Sequence, residues 1–164
     1  MKDAVNFQII TESPDETAAL GESIGILLKA GDVLLLVGSL GSGKTCLTQG
    51  IARGMGISDS IASPTFVIVM EHRGHLPLYH VDLYRLEETD TVLDLGLDDY
   101  FYGDGVTVVE WADRAMAAMP PEYLLIRMSY VDENRRGMLF HAKGERFRDL
   151  LTDIMAVRGE KADV

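Results

Sequence analysis

The stretch VLLLVGSLGSGKT, residues 33–45, decides the fold. Its first five residues are apolar without alternation, which is typical of a strand buried on both faces of a sheet. The next eight match the phosphate-loop pattern G-x-x-x-x-G-K-[ST] in full. Glycines let the backbone turn N–H groups inward on a polyphosphate, and a helix that starts near Lys44 adds its positive end. The segment therefore predicts a strand–loop–helix unit that binds a nucleotide.

Each polar residue of this loop has a chemical role in the prediction. Lys44 brings a compact charge to the β and γ phosphates, and the Thr45 hydroxyl is placed to ligate Mg²⁺. Cys46 stands near the helix start, where a reactive thiol is one interpretation and a small packed residue is the favoured one. We expect nine residues to bind the nucleotide, namely Gly38, Ser39, Leu40, Gly41, Ser42, Gly43, Lys44, Thr45 and Cys46.

Composition narrows the class of protein. The 164 residues are 47% hydrophobic and 25% charged, which predicts one globular domain. A net charge of −11 repels nucleic acid, so an extended RNA interface on the bare chain is not expected. The single cysteine cannot form an internal disulfide, the N-terminus lacks the pattern of a secretory signal, and no apolar stretch is long enough to span a bilayer. We expect a cytoplasmic protein.

The rest of the chain alternates helices and strands. Ser13, Pro14 and Glu16 form the start of a helix, with a cap, a first-turn proline and a capping box. Strands are predicted at 5–10, 66–71, 76–84, 106–110, 123–131 and 137–143, and helices over 44–55, over part of 89–102 and from 144 onward. We predict an α/β P-loop NTPase fold, with a central parallel β-sheet, added antiparallel strands and helices on both faces. It forms a single domain over 1–157, followed by a disordered polar tail over 158–164.

Two strand-end acids are candidates for the rest of the metal site. Glu110 ends the apolar strand 106–110, and Asp82 ends a more polar strand that contains Tyr79 and His80. Ligands collect at the carboxyl ends of strands in such sheets, so both acids could face the phosphates. Because the strand 106–110 is the more apolar of the two, we assign Glu110 to the metal, together with Thr45. Asp82 is then the residue that orients the attacking water.

The segment SPTF, residues 63–66, lies between the loop helix and the next strand. In phosphate-switch proteins, a hydroxyl in that region senses the γ-phosphate, which makes Thr65 a candidate catalytic residue beside Lys44 and Asp82. An ordinary Ser-Pro turn that enters a strand is the alternative.

The order of several motifs resembles that of a known family. After the phosphate loop come SPTF at 63–66, YHVDLYRL at 79–86, LGLDDY at 95–100 and VEW at 109–111. This succession, over roughly residues 10–130, is similar to that of TsaE, formerly YjeE, the bacterial ATPase of tRNA threonylcarbamoyladenosine synthesis. The phosphate loop is common to many families, whereas these other segments in this order are specific.

The resemblance implies an ATPase that works with TsaD and TsaB, which install threonylcarbamoyl on adenosine 37 of tRNA. ATP hydrolysis would support repeated turnover, tRNA would be met only within the partner complex, and we expect a monomer when the chain is alone. Lys44 and the loop amides would bind phosphate, Thr45 and Glu110 would hold Mg²⁺, and Asp82 would be needed for hydrolysis. Thr65 would belong to a switch-like segment. Four further residues would line or support the site: His80, Tyr84, Arg85 and Trp111.

Three departures from the family pattern stand out. Ser39 replaces a usual Asp, Cys46 replaces a second Thr, and the segment 87–92 lacks a usual Pro-Glu-Glu run. None removes a loop glycine, Lys44 or Thr45, so we expect nucleotide binding to survive. The third departure bears on partner contacts more than on chemistry.

The expected reaction is in-line attack of water on the γ-phosphate, catalysed by positioning and charge neutralisation. No arginine is clearly placed as a finger, which predicts slow hydrolysis by the chain alone and stimulation by its partners. A small-molecule kinase would need an arginine-rich lid, and a GTPase would need an Asn-Lys-x-Asp motif; the sequence offers neither. The small-molecule kinase and a nucleotide-gated binding module, in which hydrolysis is incidental, are kept as the alternatives.

Overall fold

Seven strands form one sheet in the order β1-β7-β6-β2-β5-β4-β3 in the computed structural model, which describes residues 6–58, 61, 69–86 and 96–158. The strands are β1 Asn6–Thr11, β2 Val33–Val37, β3 Val69–Arg73, β4 Pro77–Asp82, β5 Val106–Glu110, β6 Tyr123–Tyr130 and β7 Arg136–Lys143. The helices are α1 Pro14–Leu27, α2 Lys44–Gly54, α3 Asp98–Phe101 and α4 Glu145–Val157, with a 3₁₀ segment at Ala112–Ala118.

The centre of the sheet is parallel, as the sequence predicts. Strand β2 lies between β5 and β6 and is parallel to both, and β4 is parallel to β5. The hairpin partners β3 and β7 run antiparallel to their neighbours, and β1 pairs antiparallel with β7. All five residues of β2 and all five of β5 are buried, which explains why neither strand alternates in polarity. The predicted fold class is confirmed.

Helices cover both faces of the central strands, but unequally. Leu34 and Leu36 point into a core cluster shared with α1, α2 and α4. Leu35 and Val37 point into a second cluster, which the 3₁₀ segment and α3 close. The thicker layer therefore stands on the side of the sheet that carries α2, where the phosphate loop delivers its helix.

The packing of α1 on α2 sets the position of that helix. A side chain at Gly50 would place its Cβ 2.1 Å from the carbonyl oxygen of Ala18, and one at Gly25 would place it 2.2 Å from that of Ile51. Only glycine permits backbones to approach so closely. The close contact between α1 and α2 fixes the position of α2 and therefore the position at which the phosphate loop ends.

Most predicted boundaries hold to within one or two residues. Ser13 caps α1 by accepting a hydrogen bond from the Glu16 amide at 3.1 Å, and Pro14 is the first helical residue. The turn of the first hairpin is at 74–76 rather than 72–75, because His72 and Arg73 still pair with Leu78 and Pro77. Predictions for residues 62–68, 87–95 and 159–164, including Thr65 and most of the tail, lie outside the described residues.

Candidate nucleotide-binding site

The candidate site lies at the carboxyl edge of the parallel strands. Strands β4 and β5 are in register so that Asp82 and Glu110 are direct neighbours across the sheet. The loop 38–43 leaves the same edge from β2, which pairs with β5 through Leu36 and Glu110. Parallel strands end together, so the topology brings the loop and both acids to one place.

The phosphate loop depends on glycine at two positions. Gly41 and Gly43 have φ angles of 77° and 99°, in the left-handed region that other residues rarely adopt. Gly43 immediately precedes the first residue of α2 and has no side chain that could cap the helix, and the N-terminus of a helix favours anions. The loop therefore presents backbone donors where the sequence predicts the phosphates.

Lys44 is buried against its own loop. Its ammonium donates hydrogen bonds to the carbonyl oxygens of Gly38 at 2.7 Å and Ser39 at 2.9 Å, and to the Ser42 hydroxyl at 3.2 Å. It also lies 4.1 Å from the centre of the Trp111 ring, a cation–π contact. Burial lowers the pKa of Lys44, and the negative charges of Glu110, Asp113 and Asp82 oppose that shift. These acids help to keep the ammonium charged.

Glu110 connects the loop helix with β4. One carboxylate oxygen accepts a hydrogen bond from the Thr45 hydroxyl at 3.2 Å, across 65 residues of sequence. The other is bonded to Nε2 of His80, and the side chains of both His80 and Glu110 are almost fully buried. Both oxygens are thus held, one by the loop helix and one by β4.

Asp82 is held more loosely than its neighbour. One of its oxygens accepts a hydrogen bond from the Tyr84 amide at 2.9 Å, and its side chain is half-buried. Burial raises the pKa of Asp82, and the nearby charge of Glu110 adds to the rise, against the lowering effects of the Tyr84 amide, His80 and Lys44. The result is a carboxylate that accepts a proton more readily than an ordinary aspartate does.

Trp111 follows β5 and covers the carboxyl edge of the sheet, where its ring contacts Lys44 and Tyr84. It has a φ angle of 60°, unusual for a large side chain, and its amide donates to the carbonyl oxygen of Leu36. Its ring packs on that of Tyr84 with 4.8 Å between centroids, and the Arg114 guanidinium lies 5.6 Å from it. Backbone strain of this kind collects at functional sites, and here it places an indole over the loop lysine.

Comparison with known proteins decides the family. The family model described as threonylcarbamoyl adenosine biosynthesis protein TsaE matches residues 11–138. The chain belongs to the TsaE family. It is 43% identical over 145 residues to the TsaE of Bacillus subtilis, covering 88% of this chain and 90% of the relative. It is 38% identical over 127 residues to the TsaE of Treponema pallidum, covering 77% and 94%.

A solved structure agrees with the sequence matches. The crystal structure of YdiB from Bacillus subtilis superimposes with a TM-score of 0.84 at 36% identity, covering 96% of this chain and 99% of that one. The resemblance drawn from the motifs is therefore confirmed. The TsaE sheet is also the frame on which Lys44, Thr45, Asp82 and Glu110 converge.

Other residues of the predicted site lie at the loop tip, just after β4 and against α1. Ser39 and Leu40 are exposed at the loop tip, and Arg85 is exposed just after β4. The thiol of Cys46 lies 3.4 Å from the carbonyl oxygen of Pro14 in α1, and burial raises its pKa. The raised pKa argues against the reactive-thiol interpretation, because the thiolate is the nucleophile.

Sequence reasoning missed one cation at the loop. A Cβ on Gly43 would lie 3.5 Å from Cγ of Arg136, and the charge of Arg136 opposes the rise in the pKa of Cys46. The Arg136 guanidinium donates to the carbonyl oxygens of Asp132 and Arg135 and lies 4.7 Å from the centre of the Tyr130 ring. The pairing of β7 with β6, beside β2, is what brings this arginine to the phosphate loop, and no motif marks it.

The side chains beside the phosphate loop suit a metal ion that binds together with a phosphate-containing ligand. Within residues 6–58, 61, 69–86 and 96–158, no group of three or more His, Cys, Asp or Glu side chains could hold an ion by itself. One hydroxyl and one carboxylate, at Thr45 and Glu110, fit Mg²⁺, which keeps several waters and binds through few protein groups plus substrate phosphates.

No helix in the described part of the chain is long and apolar enough to cross a membrane.

Proposed function

We propose that this chain is a Mg²⁺-dependent ATPase that supports repeated rounds of tRNA threonylcarbamoyladenosine formation by TsaD and TsaB. The contact that carries the proposal is the hydrogen bond from Thr45 to Glu110. It joins the last residue of the phosphate loop to the acid at the end of β5. A strand-end carboxylate beside the loop hydroxyl is the arrangement that completes a Mg²⁺ site in P-loop enzymes.

Binding of the triphosphate rests on the loop and Lys44. The ammonium is now held by two neutral carbonyls and a hydroxyl. Phosphate oxygens are anionic and therefore stronger acceptors, so a bound triphosphate would compete with these partners for the ammonium. The aliphatic part of Arg136 lies beside Gly43, and its positive charge acts on Cys46 near the same end of α2, so this residue adds a second cation close to the loop.

Thr45 and Glu110 are the residues that would hold Mg²⁺. When bound, the ion would neutralise charge that develops on the phosphate oxygens. Glu110 suits this role because it is buried and held at both oxygens, so its orientation is already fixed. A ligand that needs no reorganisation holds a metal more firmly than a mobile one.

Asp82 is the residue that would orient the attacking water. It lies beside Glu110 in the register of β4 and β5 and has a raised pKa. A stronger base takes a proton from water more effectively, provided that it is ionised at the working pH. The hydrogen bond from the Tyr84 amide uses one oxygen and fixes the direction of the side chain.

The pathway is supported by the relatives, whose names describe tRNA threonylcarbamoyladenosine biosynthesis proteins. The net charge of −11 favours protein partners over direct binding of tRNA, which would then be met within the partner complex. Work alongside tRNA-modifying partners also fits the cytoplasm as the location.

The first experiment measures nucleotide binding and turnover of Lys44→Ala. Calorimetry should show that the parent chain binds Mg-ATP and that K44A binds it at least about 100-fold more weakly, since a buried charge-assisted contact is lost. Lys143→Ala, which removes an exposed lysine on β7, is the control and should bind as the parent does. Near-normal ATP hydrolysis by K44A would contradict the proposed function. The same titration with GTP tests nucleotide preference.

A second measurement separates an ATPase from its rivals. Phosphate release should be slow for the chain alone and should rise when purified TsaD and TsaB are added. Transfer of radiolabelled γ-phosphate to a small acceptor would instead indicate a kinase. An Asp82→Ala protein that binds ATP and still sustains many rounds of modification would indicate a nucleotide-gated binding module.

A further inference from the structure

His80 has an unusual environment for a residue in the middle of a buried strand. Its side chain is fully buried, and Nε2 is bonded to Glu110. The other ring nitrogen, Nδ1, has no hydrogen-bond partner within residues 6–58, 61, 69–86 and 96–158. A buried polar atom without a partner destabilises the fold, because it has lost its hydrogen bonds to water. An apolar side chain would fill this position without that cost, so the Nε2 contact is the feature that needs an explanation.

The chemistry of the pair determines where the proton lies. An ionised carboxylate can only accept hydrogen bonds, so the proton must be on Nε2 of His80. The geometry thus makes Nε2–H of His80 the donor to the carboxylate.

The charged groups of Glu110 and Lys44 are bonded to different partners. The two charges are close enough for Glu110 to oppose the drop in the pKa of Lys44, yet they form no ion pair in the described part of the chain. Instead, the Glu110 oxygens are taken by Thr45 and His80, and the ammonium is taken by the loop. Without the His80 contact, the carboxylate could turn to the lysine, and both the metal ligand and the phosphate ligand would be lost.

We propose that His80 is a positioning residue, which holds one oxygen of Glu110 so that the other faces Thr45 and the Mg²⁺ of a bound nucleotide. The inference rests on the proposed function, because it assigns a role within the same site. Carboxylates that bind metals are themselves held by hydrogen-bonding partners, and mutation of such partners typically costs about 10- to 100-fold in metal affinity or activity.

The test measures how much Mg²⁺ strengthens ATP binding, as the ratio of the dissociation constants in EDTA and in Mg²⁺. His80→Phe fills the space without a donor, and His80→Asn offers an amide that is too short. Both should lower the ratio about 10-fold or more while leaving binding in EDTA nearly unchanged. His80→Gln, whose amide reaches the position of Nε2, should restore most of the ratio.

Thr107→Val provides a matched control. Thr107 is a fully buried β5 residue whose hydroxyl also has no partner among the described residues, and it takes no part in the site. T107V should leave the ratio unchanged. An unchanged ratio in H80F, or an equal loss in H80F and H80Q, would overturn the proposal, since packing alone would then explain the histidine.

Two further readouts keep the inference separate from the function on which it rests. If the parent chain binds no nucleotide either in Mg²⁺ or in EDTA, the proposed function fails, whereas an unchanged ratio in the His80 variants concerns only His80. Nitrogen-15 NMR of the histidine-labelled parent protein should show a proton on Nε2 of His80. The Nδ1–H tautomer would overturn the proposal without any variant.

Discussion

The ends of β4 and β5 lie side by side, yet they hold their carboxylates in opposite ways. Glu110, at the end of β5, is 2% exposed and has both oxygens bonded, one to Thr45 and one to His80. Asp82, at the end of β4, is half-buried, accepts one hydrogen bond from the Tyr84 amide, and has a raised pKa. Two acids in one register therefore have different chemical properties.

The difference indicates how one edge of a sheet can offer both a metal ligand and a group that exchanges a proton with water. A carboxylate held at both oxygens is pre-oriented and suits a metal ligand, which must not move. A carboxylate with a raised pKa and fewer contacts suits a group that exchanges a proton with water. Pairs of titratable groups in contrasting environments mark a division of roles in many active sites. The same change, acid to amide, should therefore have a different signature at each position.

The largest effect is expected for Glu110→Gln. An amide keeps the size of the side chain but removes the charge that would face Mg²⁺, so metal-dependent stabilisation of several kcal/mol should be lost. Hydrolysis should fall by roughly 1000-fold, and the strengthening of ATP binding by Mg²⁺ should fall with it. Phosphate release and calorimetry with and without Mg²⁺ measure both quantities. Normal Mg²⁺ dependence in E110Q would break the comparison, because Glu110 would not be the metal ligand.

A smaller and more selective effect is expected for Asp82→Asn. The amide oxygen can still accept from the Tyr84 amide, but the side chain can no longer take a proton. The rate of hydrolysis should fall about 100-fold, while the affinity for Mg-ATP stays within about threefold of the parent value. Single-turnover phosphate release and calorimetry separate the two. A large loss of Mg-ATP affinity with D82N would show that the two acids share the metal.

How much of this contrast the sequence predicts depends on how local each feature is. The apolar runs of β2 and β5 predict buried central strands because no alternation is needed when both faces are covered. The strand-end rule then places Asp82 and Glu110 at one edge, and the register confirms that they are neighbours. Strand ends and the loop motif are local signals, and they are found without the structure.

The features that separate the two acids are not local. The burial of His80, the left-handed backbone at Trp111 and the place of Arg136 beside Gly43 follow from how distant segments pack. Arg136 reaches the loop only through the strand order β7-β6-β2, which no hydrophobic pattern encodes. The 3₁₀ segment at Ala112–Ala118 likewise has no clear periodic signal. Motifs identify candidate groups, whereas tertiary packing determines their protonation and partners.

The smallest expected effect is on stability, and it tests the raised pKa of Asp82 directly. Because that pKa is higher in the folded chain than the ordinary value of about 3.9, the folded state binds more protons than the unfolded state between those two values. Stability therefore falls as the pH rises through that window, and the ionised side chain destabilises the fold at neutral pH. Asp82→Asn removes this penalty, so it should raise the melting temperature slightly at pH 7.

Asp132→Asn should have the opposite sign. Hydrogen bonds from Arg135 hold the pKa of Asp132 down to about 2, so its contribution to stability is present above the ordinary value and is lost as the pH falls toward 2. At pH 7, D132N should melt slightly below the parent protein and D82N slightly above it. Both differences should shrink in acid: that of D82N as the pH falls from the raised folded value toward about 4, and that of D132N between about 4 and 2. Melting curves over this pH range measure both, and a D82N protein that melts below the parent at pH 7 would mean that Asp82 is stabilised by its surroundings, which would remove the physical basis for treating it as the proton acceptor of the pair.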